Sequence, residues 1–240
     1  MARRRARKKH VQLNLADARK ELGRGGWRRF AGRKKKPGAI SHDTRPALRA
    51  SHPQHVTLRL VQDAPNIASK YLMKVIRKAI ADSHKPSFRI IEFNVLGNHL
   101  HLINEAANCD ALARGMQGLE VRLAKRLNAA LKRRGKLFAH RYHARSLRTR
   151  RETFNALRYV LLNRKHHAAE KRFNKYWVDP YSSAAWFTGW AEPISKHAWM
   201  VEDLVGTPAP TKPPTVWLLT TGWKQHGPLR FDDAPASLGS

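Results

Sequence analysis

FRIIEFNVLGNHLHLINEA, residues 88–106, decides the fold. Both halves are apolar and rich in β-branched residues, the composition of strands. Gly97-Asn98 between them is a two-residue turn, since Gly tolerates positive φ and Asn does so better than most. The stretch is expected to form a hairpin, with strands over 88–96 and from His99 onward. Side chains alternate across a strand, so Leu100 and Leu102 enter a core while His99, His101 and Ile103 face the opposite side of the sheet. Two imidazoles about 7 Å apart along one strand face can converge on a metal ion. They can equally be two ordinary histidines in a chain that has 13.

Working outward, HVTLRLV (55–61) alternates and reads as a strand. Pro65 opens a helix to about Ser83, with Ile67, Tyr71, Val75 and Ala79 on one side. After the hairpin a long helix runs from about Asp110 to Arg134, stopped by Gly135. A strand near Tyr142 to Arg148 and a helix from about Arg151 to His167 follow. The order βαββαβ, then α, is an α+β ferredoxin-like (split βαβ) plan with an antiparallel sheet and an added C-terminal helix. Residues 1–53 form a basic, largely flexible arm suited to nucleic acid, 54–169 the packed domain, and 170–240 an aromatic and Pro-rich extension. Within that extension GTPAPTKPP (206–214) reads as a linker, and TVWLLTTGW after it as one strand or short helix.

That added helix, RRETFNALRYVLLNRKHH (150–167), has two faces. Phe154, Leu157, Val160, Leu161 and Ala168 fall on one arc at 100° per residue. Asn155, Tyr159, Asn163 and His166 fall on another, within about 80° of each other. If this polar stripe borders the histidines, Tyr159 and Asn163, at i and i+4, meet one small volume. The bland alternative is a half-buried tyrosine with a satisfied hydroxyl.

Charge narrows the partner. Against 17 Asp and Glu stand 47 Lys and Arg, a net charge of +30. Such a chain sits on a polyanion, and nucleic acid is the natural one because each neutralised phosphate releases counterions. An anionic membrane surface is the competitor, but no lipidation signal accompanies the charge. No apolar run reaches the roughly 20 residues of a membrane span, and arginine-dense MARRRARKKH lacks the apolar stretch of a signal peptide. Cys109 is the one cysteine, which suits a reducing, cytoplasmic setting.

These residues carry a family resemblance. NHLHLI resembles the histidine–hydrophobic–histidine signature of the HUH endonucleases, and RYVLLNR resembles the nucleophile helix of single-tyrosine transposases, commonly Y-I-x-x-N-P. The branch it is most similar to is the REP-associated tyrosine transposases: HPQHVTLRL resembles their first strand, GKLFAHRYHA the segment after the long helix, and DPYSSAAWFTGW a W/Y-S-S segment. The resemblance spans roughly residues 30–225. Two positions depart from it, Gly97 and Arg164, where proline is common.

The resemblance implies that His99, His101 and Asn163 bind Mg²⁺ or Mn²⁺ and that Tyr159 is the nucleophile. It implies a metal-dependent single-stranded DNA endonuclease and strand transferase, acting at imperfect, REP-like hairpins through a 5′-phosphotyrosine, as a monomer or a homodimer, in a prokaryotic cytoplasm at the nucleoid. DNA contacts are expected from Arg59, Arg122, Arg126, Arg133, Arg134, Lys136, His140, Arg141, Arg145 and Arg158. A phenol with a pKa near 10 needs cationic surroundings or an assisting base to attack at neutral pH. The alternatives are a non-catalytic DNA or RNA hairpin-binding protein and, with less support, a zinc hydrolase using His99, His101 and Cys109. Tyr142 is the rival nucleophile, and His140 and His143 are rival ligands.

Overall fold

A computed structural model of the chain describes residues 47–167, 177–194, 201 and 203–233, with side chains described as far as Arg164 in the helix that ends the first segment. The basic arm up to residue 46 lies outside the described residues. In chain order the main elements are β1 (Gln54–Arg59), α1 (Lys70–Ala81), β2 (Phe88–Val95), β3 (His99–Ala106), α2 (Cys109–Ala130), β4 (His143–Ser146) and α3 (Arg150–His167). The strands form one sheet in the order β2-β3-β1-β4, with every neighbouring pair antiparallel. With α1 and α2 as the two crossovers, this is the ferredoxin-like arrangement expected from the element order.

The sheet is buried on both faces. Under α1 and α2, Val56, Leu58, Leu100, Leu102 and Phe93 pack against Met73, Ile76, Met116 and Leu123. On the other face Ile91 and Ile103 meet Ala156, Leu157, Val160 and Leu161 of α3. Alternation along β3 thus sends Leu100 and Leu102 one way and Ile103 the other, as the hairpin pattern predicts.

Several local details differ from expectation. Helix α1 begins at Lys70, where Ser69 caps it by accepting the Leu72 N–H at 3.3 Å. Ile67 is buried, but in the lead-in, its N–H bonded to Gly97 O at 3.1 Å. The buried stripe is Leu72, Met73, Ile76, Ala79 and Ile80, and Tyr71 faces solvent. A strict four-residue spacing drifts by about 40° per step on a 3.6-residue helix, so Ile67, Tyr71, Val75 and Ala79 cannot all face inward.

Helix α2 stops before Gly135. Lys132 takes φ 50°, with Lys132 N–H bonded to Ala129 O and Arg133 N–H to Asn128 O, the Schellman pattern. Leu127 is the last helical residue fully buried, and beyond it packing no longer holds the helix. At the hairpin, Leu96 N–H bonds to His99 O at 2.9 Å, and neither Gly97 nor Asn98 has a positive φ. Contacts from Ile67 to Gly97 O and from Leu60 to Asn98 O hold the turn instead.

The C-terminal extension is built into the domain. Val178, Ala184, Leu219, Trp223, Leu229 and Phe231 complete the core over α3. The segment read as a linker is a strap: Lys212 N–H bonds to Ile90 O at 3.0 Å, and the buried Glu105 carboxylate accepts the N–H groups of Thr215 and Val216 at 2.8 Å each. A short helix α4 (Trp217–Thr220) and a 3-10 turn (Gly222–His226) follow. No described helix is long and apolar enough to cross a membrane.

Candidate functional site

Strand pairing lays out the floor of the site in two rows. Asn94, His101, Thr57 and His143 stand opposite one another across β2, β3, β1 and β4; one row over stand Glu92, Ile103, His55 and Arg145. His99 faces Arg59 at the end of β1. All these side chains share the sheet face that α3 covers, because cross-strand partners point the same way.

The imidazoles cluster. The His99 and His101 ring centroids are 4.8 Å apart, and His55 stacks on His101 at 5.3 Å with 14° between planes. His101 Nδ1 is 3.2 Å from both His55 Nε2 and Thr57 Oγ1. Burial, with His143 and Arg145 adding positive charge, pulls the His55 pKa down to about 4, so His55 is neutral at neutral pH. A neutral His101 that donates from Nδ1 keeps its lone pair on Nε2, the nitrogen facing Tyr159. His99 donates from Nδ1 to Asn98 Oδ1 at 2.7 Å, which leaves its lone pair on Nε2 as well.

Helix α3 brings the phenol over this floor. A capping box starts it: Thr149 Oγ1 accepts the Glu152 N–H, and Glu152 Oε2 accepts the Thr149 N–H. Glu152 also bonds Arg145 at 3.3 Å, tying β4 to the helix start. Tyr159 Oη then lies 3.5 Å from His101 Nε2, with the rings 5.0 Å apart and nearly perpendicular. Partial burial pushes the Tyr159 pKa above its ordinary value, and the Asn163 side chain, one turn on, pulls the other way. Asn163 is fully buried; its amide lies close enough to the Tyr159 hydroxyl to lower that group's pKa, but neither Oδ1 nor Nδ2 makes a well-formed hydrogen bond.

A divalent ion fits this set. A buried amide without a well-formed hydrogen bond costs about 1–3 kcal/mol, so Asn163 has unused capacity for a further partner. Two imidazoles that can each present a lone pair on Nε2 and an amide oxygen are neutral donors suited to Mg²⁺ or Mn²⁺ with water completing the shell. Among the described residues no three His, Cys, Asp or Glu side chains gather where they could hold one ion, as the His and Cys ligands of the zinc reading would need to. The zinc reading therefore lacks a site, and the Cys109 sulfur instead receives the Leu48 N–H at 3.3 Å.

Comparisons with known proteins are sparse. No family model and no curated protein matches the chain. Among solved structures, one described as a REP-associated tyrosine transposase bound to a REP hairpin is similar at 16% identity, covering 74% of this chain and 93% of that one, with a TM-score of 0.47. The ferredoxin-like assignment stands on the sheet order and crossovers of the chain itself.

The basic residues divide between the two faces. Arg59 and Arg145 lie on the site face, and the Arg158 guanidinium carbon is 5.6 Å from the Phe154 ring centroid on α3. Arg122 and Arg126 belong to α2 across the sheet, where Arg126 bonds Asp82 at 2.6 Å. Arg133 bonds Asn128 at 3.2 Å and approaches Asp63 at 3.9 Å. Arg134, Lys136, His140 and Arg141 are exposed between α2 and β4. Tyr142 is buried in the core under α1 and α2, away from the histidines.

Sequence reasoning overlooked His55, Thr57 and Asp179. The first two were findable: HVT in β1 has the same parity as H-L-H in β3 once the strands pair antiparallel. Nothing local marks Asp179, which becomes part of the site only when the extension folds back.

Proposed function

We propose that the chain is a metal-dependent single-stranded DNA endonuclease and strand transferase acting beside DNA hairpins. The observation that carries the reading is Tyr159 Oη lying 3.5 Å from His101 Nε2, with His99 adjacent and Asn163 one helical turn away. In this reading Tyr159 Oη attacks the scissile phosphorus, a bond forms from Oη to phosphorus, and the bond from phosphorus to O3′ breaks. The products are a 5′-phosphotyrosine and a free 3′-OH, and attack by another 3′-OH reverses the step and joins strands.

The residues divide the work. His99, His101 and Asn163 would hold Mg²⁺ or Mn²⁺, which when bound polarises the scissile phosphate and draws negative charge away from it. Asn98 Oδ1, which can only accept, sets the His99 tautomer, while His55 and Thr57 hold the His101 ring in place through its Nδ1. Glu92 on the same face has its pKa pushed up to about 8 by burial, so it adds no anion at neutral pH to repel a phosphate. Arg59, His143 and Arg145 border the floor and favour the DNA backbone. In the free protein the half-buried phenol holds its proton, and bound cationic charge favours its loss.

The test is cleavage of end-labelled single-stranded hairpins with Mg²⁺, Mn²⁺ or EDTA, for the wild type and Tyr159→Phe, read on denaturing gels. A metal-dependent adduct on the 5′ end of the downstream fragment, absent from Tyr159→Phe, is the expected result. Tight hairpin binding without any adduct would favour the non-catalytic binding protein, and cleavage surviving in Tyr159→Phe would mean another nucleophile.

A further inference from the structure

Across the sheet from Tyr159, helix α1 turns a cationic stripe and one aromatic ring to solvent. Tyr71 is 63% exposed, the most exposed of the large hydrophobic side chains among the described residues, although burying such a ring is ordinarily favourable. Lys70 beside it and Lys74 one turn on are also exposed, and neither makes an ion pair with a described residue. Tyr71 and Lys74 form the ridge between two concavities. One, of about 320 Å³, runs from Lys70 and Tyr71 to Tyr181 and Asp203. The other, of about 600 Å³, runs from Tyr71 over Val75 toward Arg126 on α2.

We infer that this face is a second nucleic-acid contact, binding single-stranded nucleic acid with a base stacked on Tyr71 and flanking phosphates on Lys70 and Lys74. Charge argues for a polyanion: among the described residues the carboxylates nearby are Asp82, already bonded to Lys78 and Arg126, and one exposed aspartate, Asp203. Shape argues for an unpaired strand. A base has two π faces and needs an accessible ring with space beside it, which the two concavities supply, whereas a duplex hides its base faces. An anionic bilayer would use the same lysines, but it needs a protruding apolar face and not hollows on both sides of one ring.

The inference shares with the proposed function only the class of ligand, and its test needs no cleavage. A short oligonucleotide carrying bromouracil is bound in EDTA by the full chain, irradiated, and the attachment point mapped by mass spectrometry. Affinity is read by fluorescence anisotropy across a salt series. The expected result is a crosslink at Tyr71, affinity lowered about 5-fold or more in Tyr71→Ala, as loss of one stacked base predicts, and recovery in Tyr71→Phe. In the Lys70→Gln, Lys74→Gln double variant the salt slope falls by about 1.4, two phosphate contacts at ~0.7 each. Unchanged affinity and slope with no crosslink at Tyr71 would overturn the inference, whether or not the chain cleaves DNA. So would variants that lose binding to phosphatidylserine vesicles but keep the oligonucleotide, which would make the face a membrane contact.

Discussion

Arg164, the residue after Asn163, closes on Asp179 with Nε 3.2 Å from Oδ1, and the carboxylate it meets is fully buried. The same guanidinium donates to Val95 O at 2.9 Å and lies 4.4 Å over the Tyr181 ring. Asp179 also accepts from Asn94, the residue paired with His101 across β2 and β3. One buried carboxylate thus joins the end of the tyrosine helix, the edge of the sheet and the C-terminal extension. The arginine at this position thus has a structural use.

Removing one partner of a buried ion pair leaves the other uncompensated. Asp179→Ala is expected to lower stability by about 3 kcal/mol, with Arg164→Ala milder because Arg164 is partly exposed and a lone Asp179 can take up a proton. A double-mutant cycle in urea should give a coupling of about 1–3 kcal/mol. Additive losses would mean the pair does not clasp the helix.

Glu92 makes stability fall toward alkaline pH. Its folded pKa, about 8, lies above the ordinary glutamate value of 4.5, so between those values the folded state holds a proton that the unfolded chain has released. The contribution is fully present below about pH 4.5 and is lost as pH rises toward 8. Glu92→Gln should remove that decline, with a gain over wild type at pH 8 of roughly 3–5 kcal/mol at ~1.36 kcal/mol per unit. Denaturant midpoints from pH 5 to pH 8.5 check it, and parallel wild-type and variant curves would contradict it.

Gly115 sits in the middle of α2, where Ala would ordinarily gain about 1 kcal/mol. A Cβ there would lie 2.2 Å from Phe88 Cγ, inside the core. Gly115→Ala is therefore expected to destabilise by about 1–3 kcal/mol despite its better helix propensity. Thermal unfolding distinguishes the two signs.

Lys132 carries the positive φ that ends α2. A residue without Cβ adopts that conformation without steric cost, so Lys132→Gly should stabilise the protein by up to about 1 kcal/mol. The same substitution at an exposed position inside α2, Ala129→Gly, should cost a similar amount. A loss in both variants would mean the helix does not end at Lys132.

Periodicity made the elements and their order legible, because strands and helices bury one face each at periods that a sequence displays. The facing of His99 and His101 away from Leu100 and Leu102 followed from alternation alone. Boundaries were less legible. Ser69 outcompeted Pro65 as the start of α1 through its hydroxyl cap, and loss of packing after Leu127 ended α2 before the glycine.

The sequence by itself determined the sheet, its two crossovers, the charge, and the histidine and tyrosine stripes, since each depends on residues near one another in the chain. Only the tertiary structure decided that His55 and Thr57 reach His101, that Arg126 is spent on Asp82, and that Asp179 holds α3 from across fifteen residues. Those facts depend on strand register and on how far the extension folds back. Both are set by burial summed over the whole domain, which no local window contains.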